Sequence, residues 1–433
     1  MLLRRNRVLL GTLLLVLLCA SLIFSAKADS TMWSQTYGGT DIDSDPSVLE
    51  TSDGGYALAG RTESFGAGED DIWLVKTDAS GNMEWNRTYG GADGDWSSSL
   101  ILTSDDGYAI AGVTGSFGVG DHDIWLIKLD SSGNMQWNKT YGGKDNDYVG
   151  AVVEAPDGGY AIAGTWNWTT YYEEGNSVPV LHGDFWLIKT DIYGNMQWNK
   201  TYTGIYDDYA FSLVATSDGG YAIAGQTLTI GDGGYDFWLV KTDAVGNMQW
   251  NRTYGGISVD YVYSLVETSD GGYALAGVTN SFGAGGLDSW LVKTDEVGNK
   301  EWNHTYGGSG NDMAFSLIQV SDGGYAIAGR NDSTGGVWCD FWLVKTDAFG
   351  NMEWDQTYGG TSEDVATSVI ETSDGGYALA GKTMSFGAGW SDFWLVKTDE
   401  FGVVPEAPWI ILPLLAIATV LIFVNKKKLI SRW

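Results

Sequence analysis

Residues 253–306 read TYGGISVDYVYSLVETSDGGYALAGVTNSFGAGGLDSWLVKTDEVGNKEWNHTY and contain four short runs that are typical of β-strands. These runs are YSLVET, YALAGVT, SWLVKT and KEWNHTY, and they are enriched in the β-branched and aromatic residues that strands favour. The breaks SDGG, NSFGAGGLD and DEVGN are rich in Gly, Asn and Asp, which supply positive φ angles and side-chain turn hydrogen bonds. The segment therefore predicts four antiparallel strands joined by hairpins.

This unit recurs along nearly the whole chain. A tryptophan marks it every 52 residues, with one interval of 61, at Trp33, Trp85, Trp137, Trp198, Trp250, Trp302 and Trp354. A fixed internal period is the signature of a repeat architecture. Seven four-stranded units predict an all-β fold, a seven-bladed β-propeller of four-stranded antiparallel blades. Apolar residues at successive positions of the third strand, as in FWLV at 237–240, indicate blades that are packed on both faces.

The first and last repeats are both incomplete. WSQTY at 33–37 lacks the three strands that should precede it, and the final three-strand set ends at Asp399 without a fourth strand. We therefore predict that Trp33–Tyr37 completes the last blade and closes the ring. Closure would remove two open sheet edges, which otherwise invite aggregation.

Both ends of the chain predict export and anchoring. Residues 1–28 combine early arginines with an apolar run and small residues before the cleavage point, the pattern of a secretory signal peptide. The apolar run near the other end is followed by lysines and an arginine, which predicts a cytoplasmic C-terminus. The expected segments are the signal peptide at 1–28, the propeller at 29–402 with its insert at 166–184, a linker at 403–408, a transmembrane segment at 409–424 and a basic tail at 425–433.

These segments predict a single-pass membrane protein with its propeller on the cell surface. Pro405 and Glu406 precede the apolar span and resemble the short Pro-Glu motif in C-terminal sorting signals of prokaryotic surface proteins. The alternative is therefore that the segment is cleaved and the protein re-anchored by a sortase-like enzyme.

Composition argues against several functions. The chain has 55 acidic and 24 basic residues, for a net charge of −31, which repels nucleic acid, so we expect no nucleic-acid partner. Cys339 is the only cysteine beyond the leader, so no internal disulfide is available, and we expect its thiol to be buried. The histidines His122, His182 and His304 fall in different repeats. We therefore predict a protein that is not an enzyme and requires no cofactor.

Each repeat places Asp at four fixed positions: before strand one, in the first hairpin, before the tryptophan of strand three and after the Lys-Thr pair. Aspartate at turns normally accepts hydrogen bonds from nearby backbone N–H groups. The alternative is a metal site, because one carboxylate per blade before strand one would ring the channel mouth and could hold Ca²⁺. The candidate ligands are Asp43, Asp95, Asp147, Asp208, Asp260, Asp312 and Asp364.

The unit of 61 residues contains an insert, WNWTTYYEEGNSVPVLHGD at 166–184. We expect it on the face away from the membrane, because the chain leaves the last blade on the opposite, hairpin face. Exposed aromatic rings stack on sugars or anchor protein partners, and acidic neighbours bind hydroxyls; alternatively, these rings cap their own blade. The candidate ligand-binding residues are Trp166, Trp168, Tyr171, Tyr172, Glu173 and Glu174, with Trp338 in a second irregular loop.

Seven Asn-x-Ser/Thr sequons predict N-glycosylation in a host that has the machinery. Five of them lie in the outermost strand of a blade, which is its most accessible part. The competing explanation is that the repeat duplicates Asn-x-Thr for packing. The sequons are at Asn86, Asn138, Asn167, Asn199, Asn251, Asn303 and Asn331.

The stretch TYGGSGNDMAFSLIQVSDGGYAIAGR at 305–330 resembles the β-propeller repeats of prokaryotic surface proteins of archaeal type, and the resemblance covers nearly all of 31–400. TDAVGNMQW is similar to the tryptophan-docking repeat of quinoprotein propellers through Asp243, Gly246 and Trp250. The segment is one residue shorter between Asp and Gly than that pattern. The adjacent cysteine pair and cofactor-stacking context of those dehydrogenases are absent from the sequence, so this second resemblance implies architecture alone.

Together these patterns predict a non-catalytic, membrane-anchored surface module that binds or adheres to a glycan or protein through its membrane-distal loops. The first alternative is a structural envelope component without a specific ligand, for which near-identical repeats would suffice. The second is a polysaccharide lyase or hydrolase. Binding should be concentrated where the repeats differ, and the insert is the largest such difference.

Overall fold

The computed structural model describes residues 32–404 apart from 173–178, 205–206, 229–230, 232 and 333–337, and the side chains of 167–182 are not described. The predicted signal peptide, transmembrane segment and basic tail lie outside these residues. Within the described part of the chain, no helix has the length and apolar character needed to cross a membrane.

The described residues form seven four-stranded antiparallel sheets, which confirms the predicted propeller. The strands of the first three complete blades are β2 (Asp43–Glu50), β3 (Tyr56–Thr62), β4 (Asp71–Thr77) and β5 (Met83–Tyr89) in blade 1; β6 (Asp95–Leu102), β7 (Tyr108–Thr114), β8 (Asp123–Leu129) and β9 (Met135–Tyr141) in blade 2; and β10 (Asn146–Glu154), β11 (Tyr160–Tyr172), β12 (Pro179–Thr190) and β13 (Met196–Tyr202) in blade 3.

The next three blades follow the same order. They comprise β14 (Asp208–Ala215), β15 (Tyr221–Thr227), β16 (Asp236–Thr242) and β17 (Met248–Tyr254) in blade 4; β18 (Asp260–Glu267), β19 (Tyr273–Thr279), β20 (Asp288–Thr294) and β21 (Lys300–Tyr306) in blade 5; and β22 (Met313–Gln319), β23 (Tyr325–Asn331), β24 (Asp340–Thr346) and β25 (Met352–Tyr358) in blade 6.

Blade 7 is built from both ends of the described chain. Its strands are β26 (Asp364–Glu371), β27 (Tyr377–Thr383), β28 (Asp392–Lys397) and β1 (Trp33–Tyr37). The N-terminal strand pairs antiparallel with β28, from Trp33 opposite Lys397 to Tyr37 opposite Phe393. The predicted ring closure is therefore confirmed.

The hydrophobic core is divided among the seven interfaces between neighbouring blades. Each interface holds one cluster of buried residues from two consecutive blades. The second strands contribute small residues, and the Cβ of any side chain placed at Gly60 would lie 2.6 Å from the Phe393 ring of blade 7. Small residues in these strands therefore let neighbouring sheets approach closely.

A tryptophan and a tyrosine of each outer strand contact a glycine of the next blade. The Trp33 ring lies over Gly81, whose φ is +77° and whose Cβ, if present, would be 2.4 Å from that ring. The Tyr37 hydroxyl donates to the Gly81 carbonyl at 2.6 Å, and the equivalent bond recurs from Tyr358 to Gly402. This contact gives a physical reason for the Gly and the Trp of the docking-type repeat, which meet across neighbouring blades.

A buried lysine ties the first hairpin of each blade to its third strand. Lys293 has only 4% of its side chain exposed and pairs with Asp270 at 2.9 Å and Glu301 at 3.0 Å. It also donates to the Thr294 carbonyl at 2.7 Å. The corresponding lysines are Lys76, Lys128, Lys189, Lys241, Lys345 and Lys397. The Asp of the first hairpin is therefore an ion-pair partner as well as a turn residue.

Candidate functional site

One face of the propeller carries the starts of all innermost strands together with the loops between the second and third strands. In blade 1, Asp43 at the start of β2 accepts hydrogen bonds from Thr62 and, at 2.8 Å, from Ser64, which follow β3. The insert of blade 3 and the loop that holds Trp338 join the same two strands of their blades. We call this side of the molecule the loop face.

The seven candidate calcium ligands are buried at the loop face, with relative exposures of 0–1%. Asp43 also accepts from the Gly39 N–H at 2.8 Å, and Asp364 accepts from Thr383, Gly360 and Ser385. Among the residues that the structure describes, no three carboxylate, imidazole or thiolate side chains converge as a metal-binding group. The described contacts are those of a hydrogen-bonded support for the loop face, and calcium binding stays a prediction.

Each of these aspartates has a second carboxylate close to it, from the third strand of the preceding blade. At one interface, a Cβ on Gly90 would lie 1.7 Å from Oδ1 of Asp71 and 2.9 Å from Oδ2 of Asp95. Burial raises the pKa of Asp71, and the charge of Asp95 adds to the rise. Burial also raises the pKa of Asp208 to about 6, opposed by hydrogen bonds from Thr227 and Gly204 and assisted by neighbouring carboxylates.

The aspartates of the first hairpins show the opposite shift. Burial alone would raise the pKa of Asp270, but hydrogen bonds from Lys293, Thr268 and the Gly272 N–H, together with the lysine charge, lower it to about 2. The pKa values of Asp53, Asp105 and Asp218 are lowered to about 2 in the same way. The first-hairpin aspartates therefore differ electrostatically from those of the loop face, because the former are paired with a buried lysine.

The insert extends the second hairpin of blade 3 outward as a continuation of β11 and β12. Regular pairing ends at Trp166 opposite Asp184, a register shift follows, and pairing resumes from Thr169–His182 to Tyr172–Pro179. The other candidates of the insert fall where side chains are not described: Trp168, Tyr171, Tyr172, Glu173, Glu174 and Asn167. The backbone shows a hairpin whose strands, of 13 and 12 residues, are longer than the corresponding described strands of the other blades.

Trp166 packs within its own blade. Its ring lies 4.4 Å from that of Trp186, at 58°, and it packs against the buried cluster between blades 2 and 3. In four other blades a phenylalanine of the SFG loop covers the equivalent tryptophan, as Phe282 covers Trp290 at 5.3 Å. Trp166 thus supplies the cap that the regular loop supplies elsewhere, and the remaining aromatic residues of the insert are the stronger ligand candidates.

Two other tryptophans are exposed at the loop face. Trp338 is 56% exposed and Trp390 is 70% exposed. They belong to the corresponding loops of blades 6 and 7, whereas the insert belongs to blade 3, so blades 4 and 5 separate it from Trp338. Sequence reasoning passed over Trp390 because its loop, MSFGAGWSD, otherwise follows the regular pattern.

The sequon asparagines of the outer strands have a packing role. The Trp290 indole N–H donates to Asn303 Oδ1 at 3.0 Å, and in blade 6 Asp355 accepts the same bond from Trp342 at 2.9 Å. The same contact involves Asn86, Asn138, Asn199 and Asn251. Asn331, by contrast, is buried, with 6% exposure. Packing therefore gives a reason for the recurrent asparagine, and glycosylation stays a prediction.

A cavity occupies the loop-face half of the central channel, a feature that the sequence analysis did not single out. It has a volume of about 510 Å³ and is lined chiefly by innermost strands. The fourth position of these strands, counted from the loop-face aspartate of each blade, faces it with Phe211, Tyr263 and Phe315 in three consecutive blades. The ring centroids of Phe211 and Tyr263 are 5.7 Å apart, and those of Tyr263 and Phe315 are 5.2 Å apart. The rings form one continuous aromatic wall.

The opposite wall of the channel is polar. It includes Asp45, Ser97, Ser98 and Thr367. Asp45 has a φ of +58°, which is uncommon for a residue with a side chain, and its carboxylate lies 3.6 Å from Nε of Arg61. Ser97 is buried, and its hydroxyl has no hydrogen-bond partner among the described residues.

Cys339 is buried, as predicted. Burial raises the pKa of its thiol to about 11, so the thiol is protonated at neutral pH. A protonated, buried thiol is a poor nucleophile.

Comparison with known proteins gives a partial match to one sequence and distant likenesses to several solved structures. No family model matches the chain. The regulatory protein FlaEY of Caulobacter vibrioides is 26% identical over 244 residues, which cover 52% of this chain and 25% of that protein. The matched part is thus about a quarter of the length of that relative.

Solved structures give likenesses of low identity. BBS1N in complex with ARL6DN has a TM-score of 0.47 and 9% identity, covering 84% of this chain and 95% of that one. A puromycin hydrolase mutant complexed with PGG has a TM-score of 0.46 and 13% identity, covering 81% and 52%. YCF48 bound to the D1 peptide has a TM-score of 0.45 and 11% identity, covering 85% and 96%. On its own strand order, the chain is a seven-bladed β-propeller repeat protein.

Proposed function

We propose that this protein is a non-catalytic binding module of the cell surface, anchored by its C-terminal segment, which takes a glycan or protein ligand at the loop face. The observation that carries the proposal is that the insert hairpin, built by pairing from Thr169–His182 to Tyr172–Pro179, occurs in one blade of an otherwise regular ring. A ring held by repeated contacts needs no such difference for its stability. A recognition site does need one.

The position of the exposed aromatic rings supports this proposal. Trp338 and Trp390 lie on the same face as the insert, and loops on a rigid scaffold are the usual place for binding residues. Large aromatic side chains with low conformational entropy are common anchors of protein and sugar ligands. The partial relative whose name is that of a regulatory protein is compatible with a binding role.

A structural envelope component is the second candidate function. The repeated Trp–Gly and Tyr–Gly contacts between neighbouring blades favour it, because they serve cohesion of the ring. This candidate gives no reason for the insert.

The test compares binding of the full chain with that of a Trp168→Ala/Tyr171→Ala/Tyr172→Ala variant. Trp166 is left unchanged because its ring packs on Trp186. Both proteins are presented to surface polysaccharides and envelope extracts, with and without a calcium chelator. The proposal expects binding by the parent that the triple variant loses while its melting temperature is retained. Equal binding by both proteins, or none by the parent, would contradict the insert-centred site.

Membrane anchoring is tested separately. The proposal expects the full chain to sediment with membranes and a chain ending at residue 404 to be released into the medium. Retention of the shortened chain in the membrane fraction would argue against a C-terminal anchor.

A further inference from the structure

We infer that the loop-face half of the central channel is a binding site for a neutral saccharide, one sugar face of which stacks on the wall of Phe211, Tyr263 and Phe315. This inference rests on the proposed function, because it names a ligand class and a second subsite on the same face. The cavity volume of about 510 Å³ lies within the range of about 300–1,000 Å³ that is usual for small-molecule sites.

The aromatic wall is a local departure from the repeat. The same strand position holds Pro46, Ser98, Gly150 and Thr367 in the other four blades. Packing between neighbouring blades does not require the aromatic residues, since three of the seven interfaces join blades that lack them. All three rings are half-buried, so part of each remains accessible from the cavity.

The polar wall supplies the hydrogen-bonding groups that sugar hydroxyls need. Asp45 keeps 56% of its side chain exposed, and its carboxylate is an acceptor for hydroxyl donors. Ser98 is exposed on the same wall, and its hydroxyl can both donate and accept hydrogen bonds. The site therefore combines an apolar face with donors and acceptors opposite it.

Charge favours a neutral ligand over a cationic one. Arg61 lies 3.6 Å from Asp45 and also 3.6 Å from Asp70, so the Asp45 charge is already partly balanced. A cation would find aromatic rings but a carboxylate that is shared with a guanidinium. A neutral polyol with one apolar face can use both walls without needing an unpaired charge.

Sibling blades supply substitutions that suit this strand position. Tyr263→Ser introduces the residue that blade 2 has at Ser98, and Phe315→Thr introduces the residue that blade 7 has at Thr367. Asp45→Asn keeps the shape of the polar wall and removes its charge. Phe349→Ala, which removes an exposed ring on the opposite, hairpin face, is the matched control. Melting temperature verifies folding of each variant.

The experiment is ligand-observed NMR and calorimetry of the full chain with neutral gluco-, manno-, galacto- and N-acetylhexosamine oligosaccharides, with an aromatic peptide and choline as competing probes. We expect one or more saccharides to bind, and at least tenfold weaker binding by Tyr263→Ser/Phe315→Thr and by Asp45→Asn, with no change for Phe349→Ala. If the double variant fails to fold, the saccharide affinity of Asp45→Asn compared with that of the parent decides whether the inference holds.

Three results would overturn the inference: no saccharide binds to the parent, channel variants bind as the parent does, or only the peptide or choline binds in the channel. Saccharide binding that depends on the insert residues but not on the channel would leave the proposed function standing and remove this inference. Absence of binding by the parent to every saccharide, polysaccharide and envelope extract would remove both.

Discussion

At the scale of single residues, two of the aspartate positions that recur in every blade have different surroundings. The hairpin aspartates, such as Asp270, are paired with a buried lysine, whereas those at the loop face, such as Asp208, are buried close to a second carboxylate. The sequence predicted the positions of both sets from the repeat. It did not predict the lysine pairing, because the second strand and the loop after it separate the aspartate from the lysine along the chain.

The buried lysines should contribute to stability. Lys293→Met removes the partner of Asp270 and Glu301 and leaves the Thr294 carbonyl without its side-chain donor. We expect a loss of about 1–3 kcal/mol in the free energy of unfolding, measured by chemical denaturation. The control is Lys382→Met, whose own side chain is 28% exposed, against 4% for Lys293, and has a single carboxylate partner among the described residues, Glu363; its loss should stay below about 1 kcal/mol. Equal losses would contradict the structural role of the lysine.

Stability should depend on pH in two opposite ways. Asp270 has a lowered pKa of about 2, so its contribution is complete above its ordinary pKa near 4 and is lost as the pH falls towards 2. Asp208 has a pKa raised to about 6, so its cost at neutral pH is relieved as the pH falls through 6. The melting temperature should therefore be highest in mildly acidic solution, between about pH 4 and 6.

The Asp208→Asn variant checks the acidic side of this profile. At pH 7 the variant should be more stable than the parent. Its melting temperature should also change less between pH 7 and 5, because the carboxylate that takes up the proton is absent. If the melting temperature of the parent decreased continuously as the pH is lowered from 7 to 5, this result would contradict the raised pKa of Asp208.

At the scale of elements, each blade is attached to the next by its outer strand. Gly298→Ala should disturb this attachment, because φ there is +78° and the new Cβ would lie 2.7 Å from the Trp250 ring. Gly271→Ala is the matched control, since φ is +85° and nothing lies within 4 Å. Both substitutions cost about 1–2 kcal/mol because alanine disfavours a positive φ. Gly298→Ala should cost about 1–3 kcal/mol more, owing to overpacking, as measured by thermal unfolding.

The closing strand is the second element whose role can be isolated. A chain that begins at residue 38 lacks β1, exposes the edge of β28 and loses the Tyr37–Gly81 hydrogen bond. We expect it to unfold at a markedly lower temperature and to aggregate in size-exclusion chromatography. A chain that begins at residue 32 is the control. An unchanged melting temperature in the shorter chain would mean that the ring does not depend on this strand.

At the scale of the whole molecule, the sequence predicted the features that repeat and missed those that depend on a comparison across blades. The strand order, the closing strand and the burial of Cys339 follow from local patterns. The aromatic wall of the channel requires the fourth position of seven separate strands to be compared, and only the ring brings Phe211, Tyr263 and Phe315 together. The packing of Trp166 on Trp186 likewise needs the register of the hairpin.

The central claim is that this regular ring binds its ligand where one blade departs from the repeat. The most direct measurement replaces residues 166–183 with residues 279–287 of blade 5, a loop that joins the same strands, and compares binding of the two full chains to surface polysaccharides and envelope extracts. The account predicts a folded ring, with unchanged β-sheet circular dichroism, that has lost the binding of the parent. A folded ring with the insert removed and binding retained would contradict it.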